Sequence, residues 1–399
     1  MLESVDLSHN LITTLPVLAE TRFGAALRED PDLSLNLYYN PLDAGSIANM
    51  SIVGAAFEPE IALPTEPDGD WLQGASQAQR ELWQDFFDND GHGALRDMLD
   101  RLALSSEFRV NADDVRKRVW SMLELASQHT QLREELAAIA GDFPVTCGDA
   151  GADAFSALEI AVLVFQRSEA ARVGERGADL LALYKQLFRR HEVQRMADVL
   201  SLARTRRRLA LLNDEVLTPL DPLDDISNAD LESESVDDIE IRLAMRQALA
   251  AALDYPEPSR GMLFERTAHL SKQTIKRVAD AVKVRDTVTN RQGWMVGEGS
   301  WQRYLKQQYA GQFETLSASW AQGLDYLDYC NAVSDEVPAK LDAKVLKTLR
   351  GSLKAEPLNA DGTLRKLDID SAEYVAAVEA VAGARYVAEA ALIDTLTKA

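Results

Sequence analysis

From about residue 70 onward, apolar positions recur at helical spacing. In SQAQRELWQDFF (76–87), Leu82, Trp83, Phe86 and Phe87 fall at i, i+1, i+4 and i+5. In ADLLALYKQLFRR (178–190), Leu180, Leu181, Tyr184, Leu187 and Phe188 share one face. The segment Ala154 to Phe165 reads as another helix, with Phe155, Leu158, Val162 and Leu163 toward a core. Similar periodic segments, separated by acidic loops, continue to the end. No strand pattern of comparable quality follows residue 57, so the body is expected to be all-α. One interruption stands out: TPLDPLDDISNADLESES (218–235) is acidic and contains prolines, and it reads as a mobile surface loop.

The first residues follow a different pattern. LESVDLSHNLITTLP (2–16) fits the leucine-rich repeat template LxxLxLxxNxLxxLP, with Leu2, Val5, Leu7, Asn10, Ile12, Leu15 and Pro16 in register. A weaker match, LSLNLYYNPL, places Leu35, Leu37 and Asn40 at the same spacing. In such arrays short strands stack their apolar side chains, and roughly three units plus caps are needed to bury that face. Residues 1–57 are therefore expected to be the end and cap of a longer array, cut short before Met1. FEPEIALPTEPDGD (57–70), with three prolines and five acids, reads as a linker over 58–70.

Composition narrows the function. The 399 residues are 46% hydrophobic, enough for a sizeable core, but the longest apolar run (Ala157 to Phe165) is short and broken by Glu159. A membrane span, which needs roughly 20 apolar residues, is not expected. With 64 acidic against 42 basic side chains the net charge is −22, which repels nucleic acid and favours basic partners. The basic run at Arg204 to Arg208 is expected to be a solvated helix face, with contact to an acidic partner as the alternative. Two cysteines far apart in sequence, Cys147 and Cys330, make neither a zinc site nor a disulfide framework, and point to a reducing compartment. HEVQR (191–195) begins like a zinc-protease helix, but Arg195 stands where the second histidine ligand belongs. No metal and no cofactor is expected.

Candidate chemistry centres on FPVTCGDAGADAF (143–155), where Cys147 sits among small and acidic residues. That setting suits an accessible, reactive thiol rather than a packed one. Without an adjacent histidine, thioester exchange is the least demanding reaction for it, and a helix starting soon after would help through its dipole. Asp149 would raise the thiol pKa by charge alone. Its useful role comes after acyl transfer, orienting and deprotonating an incoming lysine; capping the following helix is the alternative. Cys330, on an aromatic helical pattern in YLDYCNAV, reads as buried filler.

These features together resemble the IpaH-type bacterial effectors, whose catalytic module is the novel E3 ligase (NEL) domain. The resemblance covers roughly residues 70–330. MLDRL (98–102) is similar to the family's FLDRL, LREE (132–135) resembles the segment before the cysteine loop, and TCGDAGADAF occupies the place of the C-x-D loop. VDDIEIRLAM (236–245) resembles VDEIEVYLAF, and Trp294 and Trp301 repeat a W-x6-W spacing. Two departures are visible: Ala150 stands where the family often has Arg, and EGSW (298–301) replaces WGPW.

The resemblance implies an all-α catalytic domain of two helical lobes, 71–255 with the Cys loop and 256–399 with the C-terminal helices and a conjugating-enzyme contact, preceded by the repeat ending. It implies a HECT-like ubiquitin ligase that takes ubiquitin from a host conjugating enzyme onto Cys147 as a thioester and passes it to a substrate lysine. Leucine-rich repeats would select the host substrate, and type III secretion would deliver the effector to the host cytoplasm as a virulence factor. Asp237 is tilted toward the site as a second carboxylate, whereas Asp238 and Glu240 read equally well as first-turn acids, with Ser235 and Asp238 resembling a capping box. Trp294 and Trp301 are expected to contact a partner if exposed and to pack a core if not. Two readings stay open beside the ligase: a cysteine hydrolase or deamidase using a distant histidine such as His129 or His191, and a non-catalytic interaction protein.

Overall fold

The computed structural model describes residues 4–6, 15, 21–22, 25–26, 34–37, 69–87, 92–143, 147–174, 177–217, 219–233, 236–262, 268–331, 341–353 and 356–398. It divides into two compact units, Met1–Leu158 with Ser259–Phe264, and Glu159–Pro258 with Glu265–Ala399. Among the described residues no helix is long and apolar enough to cross a membrane.

In the first unit, β1 (Ser4–Asp6) pairs in parallel with β2 (Ser34–Asn36), Val5 opposite Leu35. The register equals the offset between the two repeat-like matches, and Leu35 and Leu37, which lie on one side of an extended chain, are both buried. Most of the remaining repeat positions, among them Asn10 and Asn40, and the linker up to residue 68 lie outside the described residues.

Helices then take over: α1 (Gly69–Leu72), α2 (Gln77–Phe87), α3 (Gly93–Leu102), α4 (Ser106–Gln128) and α5 (Thr130–Asp142). α2 packs on α4, and α5 packs on both α3 and α4. The core uses the spacing read from sequence, with Trp83 and Phe86 of α2 and Leu95, Met98, Leu99 and Leu102 of α3 buried. Trp71 meets Phe108 edge-on with ring centroids 5.1 Å apart, and Trp83 lies 5.7 Å from Trp120. Each such buried side chain contributes about 1.5–3 kcal/mol relative to exposure. Asn111 breaks α4: its backbone is non-helical, and its Oδ1 accepts the N–H of Asp114, restarting the helix with a fresh cap.

α6 (Gly148–Gly174) begins in the first unit and passes the division at Leu158.

The second unit is built on α7 (Gly177–Leu212), against which α8 (Asn228–Ser233), α9 (Asp238–Leu253), α10 (Lys272–Arg285) and α11 (Val288–Met295) pack. Leu180, Tyr184, Leu187 and Phe188 are buried as expected; Leu183 joins them, while Leu181 is 36% exposed. After α12 (Gly299–Gln308), the helices α13 (Ala310–Cys330), α14 (Ala343–Ser352) and α15 (Ala372–Lys398) enclose a second cluster that includes Tyr326, Leu349 and Val381. Cys330 is part of it, as expected of filler.

Two expectations are corrected here. The acidic stretch after α7 is a docked segment, because its carboxylates meet the basic run of the same chain. Arg204 donates to both oxygens of Asp224 at 2.8 Å and to the carbonyls of Ala268 and His269, with both side chains of the pair almost wholly buried. Arg207 donates to Asn228, and Ile226 and Leu231 of the same stretch are buried. The run at Arg204–Arg208 is thus only partly a solvated face, and its acidic partner is intramolecular.

Candidate active site

The small residues around Cys147 belong to a helix, where a loop was expected. The carbonyl of Cys147 accepts the N–H of Gly151 at 3.0 Å, which makes Cys147 the N-cap of α6. The N–H of Ala150 is directed at its Sγ, 3.4 Å away. The sulfur therefore stands where a capping oxygen usually accepts, at the positive end of a 27-residue helix. Negative charge on that sulfur is stabilised by the donated N–H and by the dipole. The thiol is half-buried.

Two glycines explain the closeness of the surrounding backbone. A Cβ on Gly148 would lie 2.7 Å from the carbonyl oxygen of Leu104, and one on Gly151 would lie 2.6 Å from the backbone nitrogen of Leu102. At i and i+3 they share one helix face, so the first turn of α6 lies flush on the corner between α3 and α4. Ala150, Ala152 and Ala154 are buried alongside. The run of small residues is a packing requirement that also places the thiol.

Asp149, Asp153 and Ser156, at i, i+4 and i+7, form a buried polar stripe along the same helix. Asp149 is wholly buried. In this conformation an incoming lysine reaches its carboxylate only if the turn moves. The cap position belongs to Cys147, so Asp149 is not the helix cap either. Its charge is felt by Arg109 of α4, whose guanidinium pKa is lowered by partial desolvation, an effect that the Asp149 carboxylate offsets only in part.

Sequence reading passed over a second group that steadies α6. Buried Glu107 accepts from Arg118 Nη1 at 3.2 Å and from the backbone N–H of Arg260. Arg118 in turn lies over the Phe155 ring of α6, 5.2 Å from its centroid. Around these groups is a cavity of about 260 Å³, lined by Ser106, Asn111 and Asp114 among others. The only sequence signal was an acid and an arginine eleven positions apart on one helical pattern, which carries no information about α6 or Arg260.

The remaining candidates lie in the second unit. Asp237 is the N-cap of α9, its Oδ1 accepting from Ile239 at 2.9 Å and Glu240 at 3.3 Å. It fills the capping role that Asp238 and Ser235 were read for; Ser235 itself lies outside the described residues. Trp301 is 5% exposed and donates its ring N–H to Thr397 Oγ1 at 3.0 Å. It packs a core, the role read for it if it is not exposed. Trp294 is partly buried against the same cluster, 6.0 Å from Tyr184 and 5.9 Å from Phe188. His191 lies 5.5 Å from the Trp294 ring, and burial lowers its pKa; His129 caps the junction between α4 and α5. Glu298, in the EGSW variant, is pushed up to about 6 by burial.

Residues 71–312 match the family described as C-terminal novel E3 ligase, LRR-interacting. The chain belongs to the NEL family. Its NEL region spans every candidate, from the α3–α4 corner through Cys147 and Asp237 to Trp301. Over 260 residues, 65% of this chain, it is 24% identical to the E3 ubiquitin-protein ligase ipaH9.8 of Shigella boydii and of Shigella sonnei, covering 42% of each relative. It is equally similar to ipaH7.8 of Shigella flexneri, covering 40% of that protein. The chain thus spans less than half the length of these curated relatives, and α14 and α15 lie beyond the NEL match.

Proposed function

We propose that this NEL chain is a cysteine-dependent ubiquitin ligase with Cys147 as the acyl acceptor. One observation carries the reading: Sγ of Cys147 at the N-cap of α6, receiving the Ala150 N–H, in a chain of this family. The Cys147 thiolate attacks the thioester carbonyl joining the ubiquitin C-terminus to a conjugating enzyme. The carbon–sulfur bond to that enzyme breaks, its thiolate leaves, and ubiquitin is held on Cys147. A substrate lysine then attacks the new thioester, its ammonium having lost a proton to Asp149, and the Cys147 thiolate leaves as the isopeptide bond forms. Because Asp149 is buried, this second step includes an opening of the first turn of α6. Asp237 is retained as a candidate second carboxylate, with a capping role that already occupies one of its oxygens.

The partners in this reading are ubiquitin, a host conjugating enzyme, and a host protein chosen by leucine-rich repeats to which β1 and β2 would belong. The setting is the host cytoplasm, reached by type III secretion. No cofactor is required. The test is to mix the chain with ubiquitin, activating enzyme, conjugating enzyme and ATP, and to resolve the products with and without reductant. The expected result is a reductant-sensitive adduct of ubiquitin mass that Cys147→Ala abolishes while leaving the circular dichroism spectrum unchanged. Ligase activity persisting in Cys147→Ala rules out the thioester route.

A further inference from the structure

One apolar surface is used by nothing described above: the outer face of the C-terminal half of α7. Val199, Leu202, Leu209 and Leu212 are 41–53% exposed, and Val216 just beyond the helix is 94% exposed. Leu202 and Leu209 are seven residues apart and Leu212 three further on, the spacing of a coiled-coil seam, with Val216 beyond the end of the helix. The opposite face of the same helix, with Leu200 and Arg204, is buried. These residues therefore form a second stripe, separate from the one that packs the core.

Charge along the stripe singles out an occupant. Exposed Arg206 lies between Leu202 and Leu209. At the far end the chain turns sharply: Asp214 is left-handed at φ 53°, and the Glu215 N–H closes on the carbonyl of Ala210 at 2.9 Å, leaving both acids exposed at one corner. A uniformly acidic partner would be repelled by that corner, and a uniformly basic one by Arg206. A second copy, antiparallel about a two-fold axis between Leu209 and Leu212, satisfies both. It sets Leu209 opposite the partner's Leu212 and Arg206 opposite the partner's acidic corner, twice over.

We infer that the chain self-associates through this face of α7, as an antiparallel, two-fold helix pair. The contact is one helix face long, below the roughly 1,600 Å² of a standard interface, so the dimer is weak and concentration-dependent. The net charge of −22 on each copy opposes approach, and this long-range repulsion is largely screened once the Debye length falls to about 8 Å near 0.15 M salt.

Sedimentation velocity of the full chain, in reducing buffer at that ionic strength, tests it over about 1–300 µM, the range suited to a weak interface. The expected result is a shift from monomer toward dimer with concentration, lost in Leu209→Glu. Arg206→Glu alone and Asp214→Lys/Glu215→Lys alone should each be monomeric. Mixed one to one they should dimerise again, since both charge pairs are then complementary in the heterodimer. All these residues are exposed, and circular dichroism checks the fold; where Leu209→Glu alters the spectrum, Leu212→Lys replaces it. A wild type that stays monomeric throughout overturns the inference and leaves the stripe to a different protein. A dimer that survives Leu209→Glu, or variants that fail to rescue one another, overturns it as well.

Discussion

At the residue scale, the decisive side chain is a cysteine in a capping position. Sulfur is a weak acceptor compared with the oxygens of Ser, Thr or Asp, so Cys147 is a poor choice for helix stability and a good one for holding a thiolate. Asp149 is the complementary case: a wholly buried carboxylate whose charge is felt by Arg109 of α4. If Asp149 takes the proton of the incoming lysine, Asp149→Asn should load ubiquitin normally and discharge it about 10²–10⁴-fold more slowly, the usual contribution of a positioned general base. Single-turnover loading and discharge to free lysine, timed separately, measure the two steps. Normal discharge removes Asp149 from the chemistry, and failed loading assigns it to the other half-reaction.

At the element scale, what matters is how closely helices approach. The first turn of α6 lies on backbone atoms of the α3–α4 corner, and backbone atoms cannot rotate out of the way as side-chain ends can. Gly151→Ala should therefore destabilise by about 1–3 kcal/mol or more, the cost of overpacking a tight contact. Gly141→Ala in α5, where a new Cβ meets nothing within 4 Å, should stabilise by about 0.5–1 kcal/mol through helix propensity alone. Urea denaturation of the two variants in parallel checks the contrast; similar shifts would mean that the corner yields. The Arg204–Asp224 pair makes the second element-scale prediction. Asp224→Ala leaves a buried guanidinium with only two carbonyl partners, and should cost about 3–5 kcal/mol. Replacing both with apolar residues, Arg204→Met with Asp224→Leu, should cost far less, because no uncompensated charge remains. A double variant as unstable as the single one would contradict this account.

At the scale of the whole molecule, the charge of −22 is a property no single contact expresses. Like charges distributed over a folded chain repel one another, and salt screens that repulsion. The melting temperature should therefore rise from about 10 mM to about 200 mM sodium chloride, as the Debye length shortens several-fold. A fall on adding salt would show that the arginine–carboxylate pairs, such as Arg242 with Asp198 and Asp238, outweigh the overall repulsion.

The all-helical body and its buried stripes were legible in the sequence, because burial against any neighbour imposes the same 3.6-residue period. The small-residue setting of the candidate thiol, Cys147, was legible too, since it is local. So were the acids around 237, although which of them capped the helix depended on where the chain turned. The sequence by itself thus determined the helices, their apolar faces and the placing of a thiol among small residues at position 147. Tertiary structure alone decided that Gly148 and Gly151 press on the α3–α4 corner, that Asp149 is enclosed, that Trp301 is interior, and that the acidic stretch after α7 finds Arg204. Each of these depends on which distant segment arrives at the same place. A pattern along the chain records how much of a side chain is buried, and not what buries it.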